Sequence, residues 1–378
     1  MSILDTFSPS EFEAPIREVA ERFLAGQAST ATREAFSAAR WREMAALGWH
    51  GVSVSEAHGG SGMGVEAALT IAGELGGGLL AEPFVESSIV VASILEGAAA
   101  APAASKLLAG LCDGSRVAAF AHRSSLVPQG RCVATVDGGG FSLSGTILLV
   151  NAGSFTSDLV VLADLRREVG TVAALFVVAA NASGISLREY RSVDGRALSD
   201  ITLDGVAMDG GSMIAEGADA DAMVERALLR ENAAIAAEAI GAMDRASELT
   251  REYLRERHQF GQPLASFQAL QHYVAEMHAG IEMARTMALM LKDAATRDAG
   301  GGGLRLRALA TISKTARRVG ERTIQLHGGM GMTEDMEIGR YFKRLLFLAT
   351  AMGGETALAG RLAETIAADI HRQSRGTK

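Results

Sequence analysis

From about Ala218 onward the chain repeats apolar residues at three- and four-residue spacing with few breaks. "DADAMVERALLRENAAIAAEAIGAMDRASELTREYLRERHQF", "SFQALQHYVAEMHAGIEMARTMALMLKDAATR" and "GLRLRALATISKTARRVGERTIQLHG" each read as one long helix, since that spacing gathers apolar side chains on a single face. Helices this long bury those faces against one another, as an antiparallel bundle, and often supply an oligomer interface. The pattern predicts a helical-bundle domain over residues 216–378.

Two other segments precede it. Residues 1–112 carry shorter helical patterns, "SEFEAPIREVAERFLA", "REAFSAARWREMAALGW" and "GVEAALTIAGELGGGLL", with the glycine-rich loop "SEAHGGSGMG" before the third; they predict an N-terminal helical domain. Residues 113–215 change character: "SRVAAFAH", "RCVATVDGGGFSLSGTILLV", "DLVVLADL" and "TVAALFVVAA" are short β-branched and apolar runs separated by Gly, Asn and Asp. These read as strands, and "DGGGF" as a hairpin turn.

Composition narrows the function. The 378 residues are 48% hydrophobic, enough for substantial cores, and carry a net charge of −8 without runs of like charge. A nucleic acid or anionic membrane needs a clustered basic face, so neither is an expected partner. Cys112 and Cys132 form no CxxC and the eight histidines no ligand spacing, which argues against a metal site or disulfide framework. The N-terminus lacks the basic and apolar regions of a signal peptide, and no apolar run is long enough to span a bilayer; a soluble, cytoplasmic protein is expected.

Chemistry concentrates where the bundle pattern is interrupted. "ERHQFGQPLASFQALQ" breaks a helix with Gly261 and Pro263 and restarts it with Ser266 as a plausible N-cap. Arg257 and Gln259 then stand beside a helix end, where a guanidinium and backbone N–H groups suit a phosphate; the same pattern also describes a helical hairpin with a solvated arginine. "QLHGGMGMTEDMEIGRYFKR" is the second break, and Gly328, Gly329 and Gly331 permit backbone angles and close approaches that a side chain forbids. A third, "ATAMGGET", puts Met352 and Glu355 on either side of a Gly-Gly pair.

Taken together, "RHQFGQPLASFQALQ" and "QLHGGMGM", with "LGWHGVSVSEAHGGSGMGVEAALTIAGELG" and "FSLSGTILLVNAGSFTSDLVVLA", make the sequence resemble the acyl-CoA dehydrogenase family of flavoproteins over nearly its whole length. The resemblance implies a mainly α fold with a β-barrel insert: an N-terminal helical domain, a middle β-barrel and a C-terminal four-helix bundle. It implies FAD lying extended across a subunit interface, with Arg257 on the pyrophosphate, Gln259 and Phe260 beside it, Gln268 near that end, and Gln325 with the Gly328–Gly329 backbone on the adenosine part. It also implies an acyl-CoA substrate, removal of the thioester α-proton by a carboxylate, and transfer of electrons to an electron-transfer flavoprotein.

The carboxylate is where the sequence departs from the family. Its usual place, in a Glu-Gly-Thr motif, falls on Met352, which takes no proton. Glu355 lies three residues on, and reads better as an exposed carboxylate at a helix start. Some relatives carry the base on an earlier helix, at the position of Glu231 in "ALLRENAAIAAEAIGAMD". Glu231 shares a helical stripe with Leu228, Ile235, Ala239 and Ala242, so it reads either as that base or as one half of a salt bridge across the bundle. The stretches expected under the flavin ring also differ, reading "AFAHRSSLVPQG" and "LLVNAG" with His122 and Asn151 in the neighbourhood. An intact ADP half-site with an altered ring half-site resembles the small subunit of heteromeric bacterial acyl-CoA dehydrogenases. Expected partners are therefore a larger paralogous chain in an α2β2 tetramer or further copies of this one, and a non-catalytic subunit donating only the ADP half-site is the rival reading.

Overall fold

The chain runs from helix to sheet and back to helix. The computed structural model describes residues 12–27, 36–122, 131–168, 170–299, 302–333 and 336–376, with side chains through residue 367. Helices α1 (Glu13–Gln27), α2 (Ala38–Ala46) and α3 (Gly64–Gly77) come first. A π-helical segment, Phe84–Val91, then runs directly into α4 (Ala92–Gly97), and α5 (Pro102–Cys112) follows. Local chemistry sets these starts: the Ser37 hydroxyl accepts from the Arg40 amide at the head of α2, and Pro102 opens α5, where no amide is needed.

Two compact units emerge, one comprising residues Thr32–Ala68 and Ala81–Glu231, the other Met1–Ala31, Leu69–Leu80 and Asn232–Lys378. The first holds the sheet: β1 (Ala118–Ala121), β2 (Arg131–Asp137), β3 (Gly140–Val150), β4 (Asp158–Arg166), β5 (Thr171–Ala179), β6 (Ile185–Arg191), β7 (Ala197–Met208) and β8 (Met213–Glu216). The "DGGGF" turn is a hairpin as expected, with Asp137 opposite Gly140 and positive φ at Gly138 and Gly139. Strand order is β6-β7-β3-β2-β4-β5-β8, with β1 parallel to β4 and β2 also parallel to β4. Leu143, Ile147, Leu159, Val161, Leu165, Phe176 and Ile201 form the sheet's core.

The barrel expectation needs correction here. Among the described residues the path begins at β6 and ends at β8, and these two strands are not paired, so the hydrogen-bonded ladder that would close a barrel is missing. The insert is an open mixed sheet.

The second unit is the bundle. Helix α6 (Gly217–Glu256) is 40 residues long, and its residues from Asn232 onward belong here, with α7 (Gln268–Thr296), α8 (Gly302–His327), α9 (Ile338–Ala351) and α10 (Glu355–Gly376). Where the C-terminal part of α3 meets α6, backbone touches backbone. A Cβ at Gly241 would lie 1.9 Å from the Gly73 carbonyl oxygen, and one at Gly76 would lie 2.4 Å from that of Glu238. Tyr341 of α9 adds to the same contact by donating to the Gly77 carbonyl at 2.6 Å.

Gly241→Ala separates helix propensity from packing. Alanine favours an isolated helix by about 1 kcal/mol, but here its methyl meets a carbonyl, and the fold should lose about 2 kcal/mol or more in urea unfolding. Gly360→Ala on α10, where a Cβ meets nothing within 4 Å, should hold or gain stability. Equal stability of both variants would show that α3 and α6 do not touch at Gly73.

Candidate active site

At one end of the bundle α6 stops and the chain folds back. The Arg257 amide still donates to Tyr253 O at 2.9 Å, while its carbonyl accepts from Leu264 N–H at 2.8 Å. Between them a short antiparallel ladder pairs β9 (His258–Gln259) with β10 (Gln262–Pro263). The turn is Phe260–Gly261, with φ of 54° and 82°, the left-handed pair that a two-residue hairpin requires. Glycine adopts this freely; phenylalanine does so at a cost. Phe260 is nevertheless 90% exposed, its ring meeting Phe267 edge-on at 6.1 Å.

Ser266 does not cap the helix that follows, contrary to expectation. It lies in the one-turn segment Leu264–Ser266, and its hydroxyl donates to Pro263 O at 2.6 Å. Phe267 takes the N-cap position with no side-chain bond, because the serine oxygen is spent one residue early. The first amides of α7 are thus left without a side-chain cap beside the exposed Arg257, Gln259 and Gln268.

The second glycine break is fastened to the same end. His327, the last residue of α8, stacks on Tyr253 with centroids 4.3 Å apart, and the Tyr253 hydroxyl donates to His327 O at 3.4 Å. Tyr253 sits one turn before Arg257 and His327 directly before Gly328, so "RHQFGQ" and "QLHGGMGM" converge. Gly328 has φ of 61°. A Cβ at Gly328 or Gly329 would meet nothing of this chain within 4 Å, whereas one at Gly331 would lie 2.9 Å from His327 Cβ. Internal packing therefore explains Gly331 but leaves Gly329 facing open space. Gln325, Met330 and Met332 are exposed around it.

Glu231 lies in the other unit, on the first half of α6. It keeps part of its surface accessible, as do Leu228 and Ile235 one turn to either side, yet protein surrounds the carboxyl closely enough to push its pKa up to about 7. Burial is the larger cause and the negative charge of Glu86 the second. Glu86 escaped the sequence reading because the run "FVESSIVV" gives no sign of the π turn that carries it.

The "ATAMGGET" stretch is a helix end. Met352 is buried at the C-cap of α9, and Gly353 and Gly354 turn the chain with φ of 115° and 72°. Glu355 opens α10, exposed, with Lys314 Nζ at 4.0 Å. Two turns before Met352, Arg344 is buried against Glu238 of α6, with Nη2 2.6 Å from Oε1. Glu238 lies seven residues beyond Glu231, a spacing that could have exposed it.

At the ring-side stretches, residues 123–130 of "AFAHRSSLVPQG" lie outside the described residues. His122 stacks on Phe120 at 4.5 Å. In "LLVNAG" the β3–β7 register slips between Ile147 and Val150, and Leu149 takes φ of 59° with its amide toward Asp200 Oδ1 at 3.3 Å. Asn151 follows this bulge, partly buried.

Two family models match the chain, the acyl-CoA dehydrogenase C-terminal domain over residues 221–367 and N-terminal domain over residues 9–115. The chain belongs to the acyl-CoA dehydrogenase family. It is therefore an oxidoreductase, and the cofactor of its family is FAD. It is 26% identical over 344 residues to acyl-CoA dehydrogenase FadE27 of Mycobacterium tuberculosis, which covers 86% of this chain and 87% of that protein. Among solved structures it resembles the Tcur3481–Tcur3483 steroid acyl-CoA dehydrogenase G363A variant (30% identity, TM-score 0.84, 96% of this chain and 99% of that one). The ChsE4–ChsE5 complex from Mycobacterium tuberculosis shares the fold, with 24% identity, a TM-score of 0.83 and coverage of 96% and 98%. No helix among the described residues is long and apolar enough to cross a membrane.

Proposed function

We propose that this chain is a subunit of an acyl-CoA dehydrogenase that takes part in α,β-dehydrogenation of an acyl-CoA thioester, with Glu231 as the base. The observation that carries this reading is Glu231, part of whose surface is accessible on a helix face shared with Leu228 and Ile235, its carboxyl held near neutrality by its surroundings. A general base works best when its pKa lies near the operating pH. Ionised Glu231 takes the α-proton of the thioester, and the half-buried Leu228 and Ile235 keep its surroundings apolar. Bound FAD supplies the acceptor for the β-hydride, and the electrons go on to an electron-transfer flavoprotein.

The residues at the bundle end fit the ADP half of that cofactor. Arg257 offers a guanidinium fork, the uncapped start of α7 offers amides for a pyrophosphate, and the open surface at Gly328–Gly329 leaves room for a ligand beside Gln325. Gln259, Phe260 and Gln268 border the same surface. The buried methionine at Met352 and the altered ring-side stretches favour a partner that is a larger paralogue, in an α2β2 assembly. They also keep in play a subunit that contributes only the ADP half-site.

Three outcomes test these assignments. Arg257→Ala should weaken FAD retention by on the order of 2 kcal/mol, about thirty-fold, read as flavin absorbance lost on dilution; full retention would remove Arg257 from the site.

Glu231→Gln should keep flavin and assembly while bleaching of the flavin by acyl-CoA slows by about 10²–10⁴-fold, and unchanged bleaching would favour the non-catalytic reading. In the unaltered protein bleaching should rise with pH up to about 7 and then level off, because the ionised form is the base. Stability runs the opposite way. A carboxyl raised in the fold gives a contribution that is complete below its ordinary range near 4.5 and is lost as pH rises through about 7.

Co-expression with a larger paralogue should yield about one FAD per pair of unlike chains, following from one complete ring site per pair. A full FAD per chain in a homotetramer, measured by flavin-to-protein ratio, would sink the heteromeric reading.

A further inference from the structure

Two segments of the sheet-containing unit meet at a charged pair buried within it. Arg40, in the first turn of α2, and Glu82, in the link between α3 and the π-helical segment, are 4% and 3% exposed. Arg40 Nε donates to Glu82 Oε1 at 2.7 Å, and the Ser37 amide donates to the same oxygen at 3.1 Å. Ser37 Oγ in turn accepts from the Arg40 amide at 3.4 Å. One carboxylate oxygen thus takes both bonds that fasten the head of α2 to this link.

The other half of the pair is unmatched. Arg40 Nη2 and Glu82 Oε2 are both buried, and neither makes a hydrogen bond. A guanidinium and a carboxylate frequently meet through two parallel bonds; here only one of the two forms. Leaving a charged donor and a charged acceptor buried without partners is costly, because each has given up its hydration. Trp41 Nε1, on the next residue, is a further buried donor in the same position.

The chemistry of these two atoms selects what joins them. The pair is neutral as a whole, so an anion drawn to Arg40 is repelled by Glu82, and a cation meets the reverse. The ligand has to accept from an N–H and donate to a carboxylate oxygen at once, and has to be small enough for a site closed to solvent. Water meets all three conditions, and buried waters characteristically bond polar groups that the protein leaves unsatisfied. We infer that a resident water bridges Arg40 Nη2 to Glu82 Oε2, accepting from the first and donating to the second, and forms part of the joint between α2 and the segment before Phe84. The joint also bears on the loop after "LLVNAG". Phe36, next to Ser37, stacks on Phe155 of that loop with centroids 4.5 Å apart and planes 16° from parallel, so the water supports the loop at one remove.

A room-temperature crystal structure of the full assembly, at a resolution that shows ordered waters, tests the site. One peak of full occupancy is expected within about 2.7–3.2 Å of both Nη2 and Oε2. A direct Nη2–Oε2 bond, no peak, or a peak that touches only one of the two atoms, as an adventitious ion would, overturns the inference. Neutron diffraction from the same crystals in D2O reads the orientation. One deuterium of the water should point at Oε2 and its oxygen should face the Nη2 deuterium; any other arrangement overturns the assignment of donor and acceptor.

Discussion

No side chain fits where α3 and α6 cross. At Gly241 the room left is smaller than a methyl group, with the Gly73 carbonyl only 1.9 Å from a Cβ, and the neighbouring Gly76 and Gly77 bring the helices together over a full turn. Close approach of this kind sets the axial position of α6, because a shift by one residue would put Ile240 or Ala242 into the backbone of α3. Glu238, Tyr253 and the hairpin at Arg257 inherit that position along the part of α6 that belongs to this unit.

The buried ion pair between Glu238 and Arg344 fixes α9 to the same part of α6. Two charges this deep contribute little net stability, since desolvation offsets most of their attraction, but losing either leaves the other stranded. The pair therefore acts as a register pin: only one alignment of α9 on α6 joins guanidinium to carboxylate. Tyr341, one turn earlier, reinforces it with its bond to Gly77 O. The turn after α9 is placed by these contacts, and Ser313 adds another by donating to Ala349 O at 2.9 Å. A position so tightly held suits catalysis, yet its inward side chain is methionine.

Much of this was legible in the sequence. Long runs of three-to-four spacing became α6, α7 and α8, and alternation around "DGGGF" became the β2–β3 hairpin, because both periods reflect burial on one face. What escaped depends on contacts distant in sequence. β6 and β7 lie in "ISLREYR" and "ALSDITLDGVAM", whose polar residues blur the strand signal until the sheet buries Leu198, Ile201 and Leu203. Barrel closure depends on which edges meet, and no single strand records that. Ser266 looked like a cap, but its hydroxyl finds a nearer carbonyl in the turn. Of the site, the two glycine-rich breaks were readable as residue types, whereas their convergence depends on His327 stacking on Tyr253, a residue that lies outside both motifs.

The two possible places for a base are electrostatically different. At the end of α9 a carboxylate would face the negative end of the helix dipole in a site as buried as that of Met352. Both effects disfavour ionisation, so the fold alone would raise such a group toward neutrality. Glu231 has no such help, being well inside a 40-residue helix where the aligned peptide dipoles cancel except at the ends. Its elevation comes from burial first and from the negative charge of Glu86 second. The fold thus raises a carboxyl at either place, through burial and the helix terminus at Met352, and at Glu231 through burial with a second contribution from the negative charge of Glu86.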